Sequence, residues 1–247
     1  MKMKMAPLTL AFTLLIATFA HADSHPHWSY SGEGSPEKWG KLSHDFAVCE
    51  EGFNQSPVDI KNITKGELPP LSLTFNAKDK SIINNGHTLQ VDVRDGDTLT
   101  LDGSKFTLKQ FHFHAPSENR IDGRVYPLEV HFVHSNAKGE LAVVGVMFEQ
   151  GKENPTIEQI LKNLPSKKNE ARPLDTPLAL SDLMPGDKNY YRFSGSLTTP
   201  PCTEGVRWLV MKQPISASPK QISAFELALG LKNNRPIQPL NGRLIVN

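Results

Sequence analysis

Apolar and polar residues alternate along Leu71–Phe75, Thr88–Val93, Thr98–Leu101 and Phe106–Leu108, the two-residue period of strands with one buried face. Asn85-Gly86, Asp95-Gly96, Asp102-Gly103 and Asp122-Gly123 punctuate this region and suit hairpins with positive backbone angles. Leu141–Phe148 is apolar without alternation and reads as a strand buried on both faces. Helical spacing is rarer. Asn154-Pro155 supplies a cap and a first-turn proline ahead of Ile157, Ile160, Leu161 and Leu164 on one face. Ser218-Pro219 opens a second helix with Ile222, Phe225 and Leu229 as its buried stripe, ended by Gly230. The pattern predicts a mainly β or α+β domain with short helices peripheral to a sheet.

The first residues follow a different pattern: Lys2 and Lys4, a mostly apolar run from Ala6 to Ala20, then Ala20-His21-Ala22 with small residues at a cleavage position. This is the layout of an export signal over residues 1–22, and the run is too short to be a comfortable membrane span. No later apolar run is long enough to span either. Cutting 22 of the 247 residues leaves 225, residues 23–247, which read as one domain because no linker, repeat or low-complexity block divides them. The signal carries two of the 27 basic residues and none of the 26 acidic ones, so the remainder holds 25 against 26, a formal net charge of −1. That balance, with no basic cluster interleaved with aromatics, argues against a nucleic-acid partner. Export with no second anchor predicts a periplasmic protein.

Cys49 and Cys202 are the two cysteines, and an even count in an exported chain favours a disulfide over a free-thiol metal site. By loop-closure entropy such a long-range bridge contributes roughly 4 to 5 kcal/mol, less any strain.

The chemistry concentrates in Gln110-Phe111-His112-Phe113-His114. Strand alternation sends Gln110, His112 and His114 to one face, with the two histidine Cβ atoms roughly 6.5 to 7 Å apart, close enough for both rings to meet one ion. In Leu128–His134, Glu129, His131 and Val133 share a face, so His131 is the candidate third ligand. Three neutral imidazoles with one open position match catalytic zinc, whereas structural zinc prefers four protein ligands including cysteine. The alternative is that these are hydrogen-bonded histidines of a core. Gln110 and Glu129 each sit two residues from a ligand and are candidate partners for the second ring nitrogens.

Together with Ser196-Leu197-Thr198-Thr199-Pro200-Pro201-Cys202, these motifs resemble the alpha-class carbonic anhydrases. The resemblance extends through His27-Trp28-Ser29-Tyr30, Asn54–Ile60, Asn84-Asn85-Gly86-His87, Glu204–Trp208 and Asn234–Leu240. It implies a large, mostly antiparallel twisted sheet with zinc at the base of a conical cleft, and reversible hydration of carbon dioxide to bicarbonate. Residue by residue, it implies zinc on His112, His114 and His131 and a catalytic pair in which Thr198 passes its proton to Glu118. An apolar substrate wall would be formed by Val133, Val143, Leu197 and Trp208, with Thr199 beside it. His87 would relay protons, with Tyr30 and Asn85 lining its path, and Cys49 and Cys202 would pair to anchor the Thr198 loop. A monomer or homodimer and an esterase side activity are further family expectations. Gln90 departs from the family, where Asn is common, and Cys202 stands where many animal members have Leu. A non-enzymatic binding module is disfavoured because the three histidines, Thr198 and Glu118 are all present. A zinc-buffering protein would need a longer histidine tract than His21, His25 and His27.

Overall fold

The computed structural model describes residues 27–76 and 79–247; the expected export signal lies outside them. The described strands are Asp59–Ile60 (β1), Ser72–Thr74 (β2), Asp79–Asn84 (β3), Leu89–Val93 (β4), Thr98–Leu101 (β5), Ser104–His114 (β6) and Arg120–Ile121 (β7). They continue with Leu128–Ser135 (β8), Leu141–Gln150 (β9), Ala171–Pro173 (β10), Tyr190–Ser196 (β11), Glu204–Met211 (β12) and Ile215–Ala217 (β13). Four α-helices, Trp39–Leu42 (α1), Val48–Glu51 (α2), Pro155–Lys162 (α3) and Pro219–Leu229 (α4), lie around them.

Eleven strands form one sheet with the path β10-β3-β4-β6-β8-β9-β12-β11, while β13 adds to β9, β5 to β6 and β2 to β5. All pairings in it are antiparallel except β12 and β13 on β9. The expected mainly β architecture is therefore present, as a mixed sheet. At the centre, β9 is buried on both faces: Val144, Val146 and Phe148 join the larger apolar cluster, and Val143 and Met147 the smaller one. This explains its lack of alternation.

The long strand β6 carries an irregularity between Leu108 and Gln110 where its pairing with β8 shifts. Before it the buried apolar positions are Phe106 and Leu108; after it they are Phe111 and Phe113. The extra residue moves the alternation by one and keeps phenylalanines on the core face, leaving Gln110, His112 and His114 on the other.

The helix ends follow their caps. Asn154 Oδ1 accepts from the backbone N–H groups of Thr156 and Ile157, and Ser218 forms a capping box with Gln221. The two caps are tied together, because Gln221 Oε1 accepts from Asn154 N at 3.0 Å and Gln221 Nε2 donates to Asn154 O at 2.8 Å. Gly230 ends α4 in the left-handed region with φ 69°. Helix α3 is shorter than its apolar stripe, stopping at Lys162, so Leu164 packs from outside it. Asn163 takes the C-terminal cap just before Leu164-Pro165, and a residue preceding proline resists helical angles. At Asp102-Gly103 and Asp122-Gly123 both residues have positive φ, as a two-residue hairpin turn requires. Cys49 and Cys202 form the expected disulfide, with Cα atoms 5.0 Å apart and a sequence separation of 153.

His134, on β8 and buried on the core face, is a histidine outside the site described below. Its Nδ1 donates to the Phe132 carbonyl at 2.9 Å, while burial pulls its pKa down to about 4. The unfolded chain therefore takes up this proton first, and the associated stability, complete above about pH 6.5, is lost as pH falls toward 4. The loss amounts to about 3 kcal/mol at most. Denaturant unfolding at stepped pH should show a shallower acid decline for His134→Gln than for the parent; identical slopes would contradict the assignment.

Candidate metal centre

Pairing of β6 with β8 builds the centre. The register places His112 opposite His131, His114 opposite Glu129 and Gln110 opposite Val133. The three imidazole centroids are then 5.0, 5.4 and 4.5 Å apart, and one nitrogen from each ring lies within 4.8 Å of the others. His114 and His131 are buried, and His112 is half-buried at the cavity wall.

The remaining ring nitrogens face oxygen. His112 Nδ1 lies 2.8 Å from Gln110 Oε1, and His114 Nδ1 lies 2.7 Å from the Asn233 carbonyl. A carbonyl only accepts, so His114 Nδ1 carries the proton and Nε2 holds the lone pair. His131 Nε2 sits 2.9 Å from Glu129 Oε1, within ion-pairing distance although not aligned for a hydrogen bond. Its Nδ1 is thereby left as the lone-pair nitrogen. Burial lowers the pKa of all three, and His114 and His131 lower His112 further, so the rings are neutral at neutral pH. Buried His114 Nε2 has no hydrogen-bond partner, an orphan that a cation would satisfy. The donor set suits a zinc ion: three neutral imidazoles, each with an oxygen beside its other nitrogen.

Glu129 is itself held firmly. Its Oε2 accepts from the backbone N–H groups of Glu118 and Asn119 at 2.8 and 2.9 Å, and its Oε1 accepts from Asn119 Nδ2 at 2.8 Å. Burial raises its pKa and these donors draw it back. Gly145, opposite His131 on β9, leaves room for the pair: a Cβ there would stand 3.1 Å from Glu129 Oε1 and 3.8 Å from His131 Cδ2.

Glu118 lies beneath the imidazoles, with Oε2 3.5 Å from His114 Nε2 and 3.8 Å from His131 Nδ1. Burial pushes its pKa well above the usual carboxylate range, while the Thr198 hydroxyl and the Arg235 backbone N–H, 2.8 Å from Oε1, favour the ionised form. The buried Arg235 guanidinium donates to Gln55 Oε1, Ser56 O and Cys49 O, all at 2.8 Å. It thus links the disulfide-bearing segment to the Glu118 site.

A cavity of about 280 Å³ opens beside His112 and His131. Val133, Val143, Leu197, Thr198, Thr199 and Trp208 all line it, with Leu141 and Gln110. Trp208 is fixed by its indole N–H to Ser196 O at 2.9 Å and stands edge-on to His131. Gly195 gives that indole its place, since a Cβ there would lie 2.7 Å from Trp208 Cδ1 and 2.2 Å from Ser56 Oγ.

A family model described as eukaryotic-type carbonic anhydrase matches residues 34–247. The chain belongs to the alpha-class carbonic anhydrases. The carbonic anhydrase of Pectobacterium carotovorum is 51% identical over 240 residues, covering 97% of this chain and 98% of that protein. Among solved structures, the Photobacterium profundum alpha-carbonic anhydrase matches with a TM-score of 0.85 at 50% identity, covering 90% of this chain and 100% of that one. The Thermovibrio ammonificans enzyme, solved with the inhibitor sulfanilamide, matches with a TM-score of 0.88 at 45% identity and the same coverage. The chain is therefore a carbonic anhydrase, an enzyme of carbon dioxide hydration in a zinc-dependent family, and no helix among its described residues is long and apolar enough to cross a membrane.

The residues that family resemblance marks for proton relay lie elsewhere in this carbonic anhydrase. His87 lines a separate cavity of about 460 Å³ with His27, Trp28, Asp45, Phe46, Pro200 and Pro201. Its ring stacks on Trp28 at 3.8 Å, and burial, then His27 and Lys168, lower its pKa. The two cavities adjoin through Thr199-Pro200, which contribute to one each. Asn85 closes the His87 turn, its Oδ1 accepting from the N–H groups of His87 and Thr88 at 2.9 Å. Tyr30 stands edge-on to Trp28 and Trp39, and burial, then Glu118, raises its pKa. Gln90, opposite His112, donates to Asp92 Oδ1 at 2.7 Å.

Sequence reasoning passed over Asn119, Leu141, Gly145, Asn233 and Arg235. Leu141 was within reach, since alternation along β9 puts it on the face of Val143. The others act through partners distant in the chain or through the absence of a side chain, which no local pattern signals. A methyl added at Gly145 crowds Glu129 Oε1, which must give by a few tenths of an ångström, and Gly145→Ala should cost the metal-free protein about 1 to 3 kcal/mol. Unchanged denaturant stability would contradict that packing account.

Proposed function

We propose that His112, His114 and His131 hold a catalytic zinc ion and that this carbonic anhydrase hydrates carbon dioxide reversibly in the adjoining cavity. The observation that carries the reading is the convergence of three imidazoles whose other nitrogens already face oxygen, with His114 Nε2 buried and unpartnered. When bound, zinc supplies Lewis acidity that makes a water ionisable near neutral pH, a property for which carbonic anhydrase is itself the standard example.

The chain's own residues do the rest. Gln110, the Asn233 carbonyl and Glu129 fix the tautomer and aim of each imidazole. Glu118 receives the Thr198 hydroxyl proton in a hydrogen bond, so the Thr198 oxygen is left as an acceptor. It therefore favours a protonated oxygen nucleophile and orients its remaining lone pairs toward carbon. Val133, Val143, Leu197 and Trp208, with Leu141, give an uncharged substrate an apolar wall, beside which Thr199 offers a hydroxyl. His87 takes up the proton that hydration releases and passes it to solvent buffer. Its lowered pKa favours release over retention. Tyr30 and Asn85 support this route by ring packing and by closing the His87 turn. The charged start, apolar run and Ala-x-Ala site, with the Cys49–Cys202 disulfide, support export to a periplasm.

Two substitutions test the assignments. His112→Ala should lose metal and hydration activity together, with the rate falling on the order of a hundredfold or more. Zinc analysis and stopped-flow hydration check this, and full zinc with full activity would refute the site. His87→Ala should keep its zinc while kcat falls about tenfold in dilute buffer, with imidazole restoring part of the loss. A parent-like kcat would show that protons leave by another route.

A further inference from the structure

Asn233 joins the metal-bearing strand to the turn that carries His87. The residue is fully buried, and every polar group of its carboxamide is bonded. Its Oδ1 accepts from Ala115 N at 2.8 Å, and its Nδ2 donates to the carbonyls of Phe113 at 2.8 Å and His87 at 3.0 Å. Its main-chain carbonyl receives His114 Nδ1 at 2.7 Å. One residue thus holds an imidazole of the metal centre by its backbone and the His87 turn by its side chain. Next to His87, Thr88 Oγ1 also donates to the Phe113 carbonyl at 2.5 Å, so two consecutive turn residues are tied to the end of β6. Only a carboxamide offers two donors and an acceptor in one plane at this reach: a carboxylate lacks the donors, and a hydroxyl has one.

We propose that the Asn233 carboxamide is a positioning residue for proton transfer, fixing the His87 turn against the strand that carries His112 and His114. The imidazole of His87 is then presented from a fixed backbone at the rim next to the metal cavity. This rests on the reading of His87 as the proton acceptor. The backbone contact to His114 does not depend on the side chain, so the two roles of Asn233 are separable by substitution.

The test uses the zinc-loaded enzyme with Asn233→Asp, which keeps an acceptor for Ala115 N and leaves at most one donor for the two carbonyls, and with Asn233→Ser. At saturating carbon dioxide kcat includes proton removal, whereas kcat/KM reports the steps up to hydration. Zinc content should stay at the parent level and kcat/KM within about twofold, while kcat in dilute buffer falls roughly fivefold and recovers in imidazole. His87→Ala is measured beside them. A slowed His87→Ala with parent-like Asn233 variants overturns the positioning role and leaves the relay reading standing. A parent-like His87→Ala overturns both. Joint loss of zinc, kcat and kcat/KM in the Asn233 variants also overturns it, because the side chain then only braces His114. A readout independent of any variant is hydrogen exchange of the Asn233 side-chain amide in the parent, read by NMR. Slow exchange is expected, and exchange at the rate of a free amide overturns the proposal.

Discussion

The antiparallel pairing of β6 with β8 is the contact on which the site depends. It sets His112 against His131 and His114 against Glu129, and a slip of either strand by one residue would turn that strand's pair into the phenylalanine core. The shift between Leu108 and Gln110 is what makes that register compatible with burial, since the strand changes phase there and the apolar face stays continuous. Gly145 on β9 and Gly195 beside Trp208 then give the side chains their room.

That pairing gathers groups that water would otherwise solvate. His114, His131, Glu118 and Glu129 are almost wholly buried, and burial alone drives imidazoles and carboxylic acids toward their neutral forms. His114 Nδ1, Glu118 Oε1 and both oxygens of Glu129 are met by a backbone N–H, a carbonyl or a carboxamide. Left without hydrogen-bond partners are His114 Nε2 and Glu118 Oε2, which lie 3.5 Å apart where the lone pairs converge, and His131 Nε2, which faces Glu129 Oε1 instead. Buried polar atoms without partners are costly, and their concentration in one spot is the physical signature of a site completed by something from outside the chain. A dication there would reverse the local preference for neutral carboxyls, which accords with acidic residues placed beneath the imidazoles.

What the sequence made legible was local. The H-x-H pair, the face shared by Glu129 and His131, the caps at Asn154 and Ser218 and the turns at Asp102-Gly103 and Asp122-Gly123 each depend on residues a few positions apart, whereas Asp95-Gly96, read the same way, joins two strands that do not pair with each other. The phase shift in β6 shows in the sequence only as a change of parity, from Phe106 and Leu108 to Phe111 and Phe113, which is easily passed over because each half alternates correctly on its own. Nor could it reach Asn233, which meets His114 across 119 residues, or Arg235, which meets Cys49 across 186. Glu118 and Thr198 became candidates through family resemblance, since a loop carboxylate and a threonine before a proline pair are unremarkable by themselves. Resemblance also marked His87, yet it gave no hint that the ring stacks on Trp28 in a neighbouring cavity. Long-range hydrogen bonds and ring orientation belong to the folded chain alone.

The central claim is that this chain holds zinc through three imidazole nitrogens, and X-ray absorption at the zinc edge of the purified protein tests it most directly. One zinc per chain, with three nitrogens and one oxygen at about 2.0 to 2.1 Å, is the expected result. A sulfur shell at about 2.3 Å, or a folded protein that takes up no zinc, would contradict it.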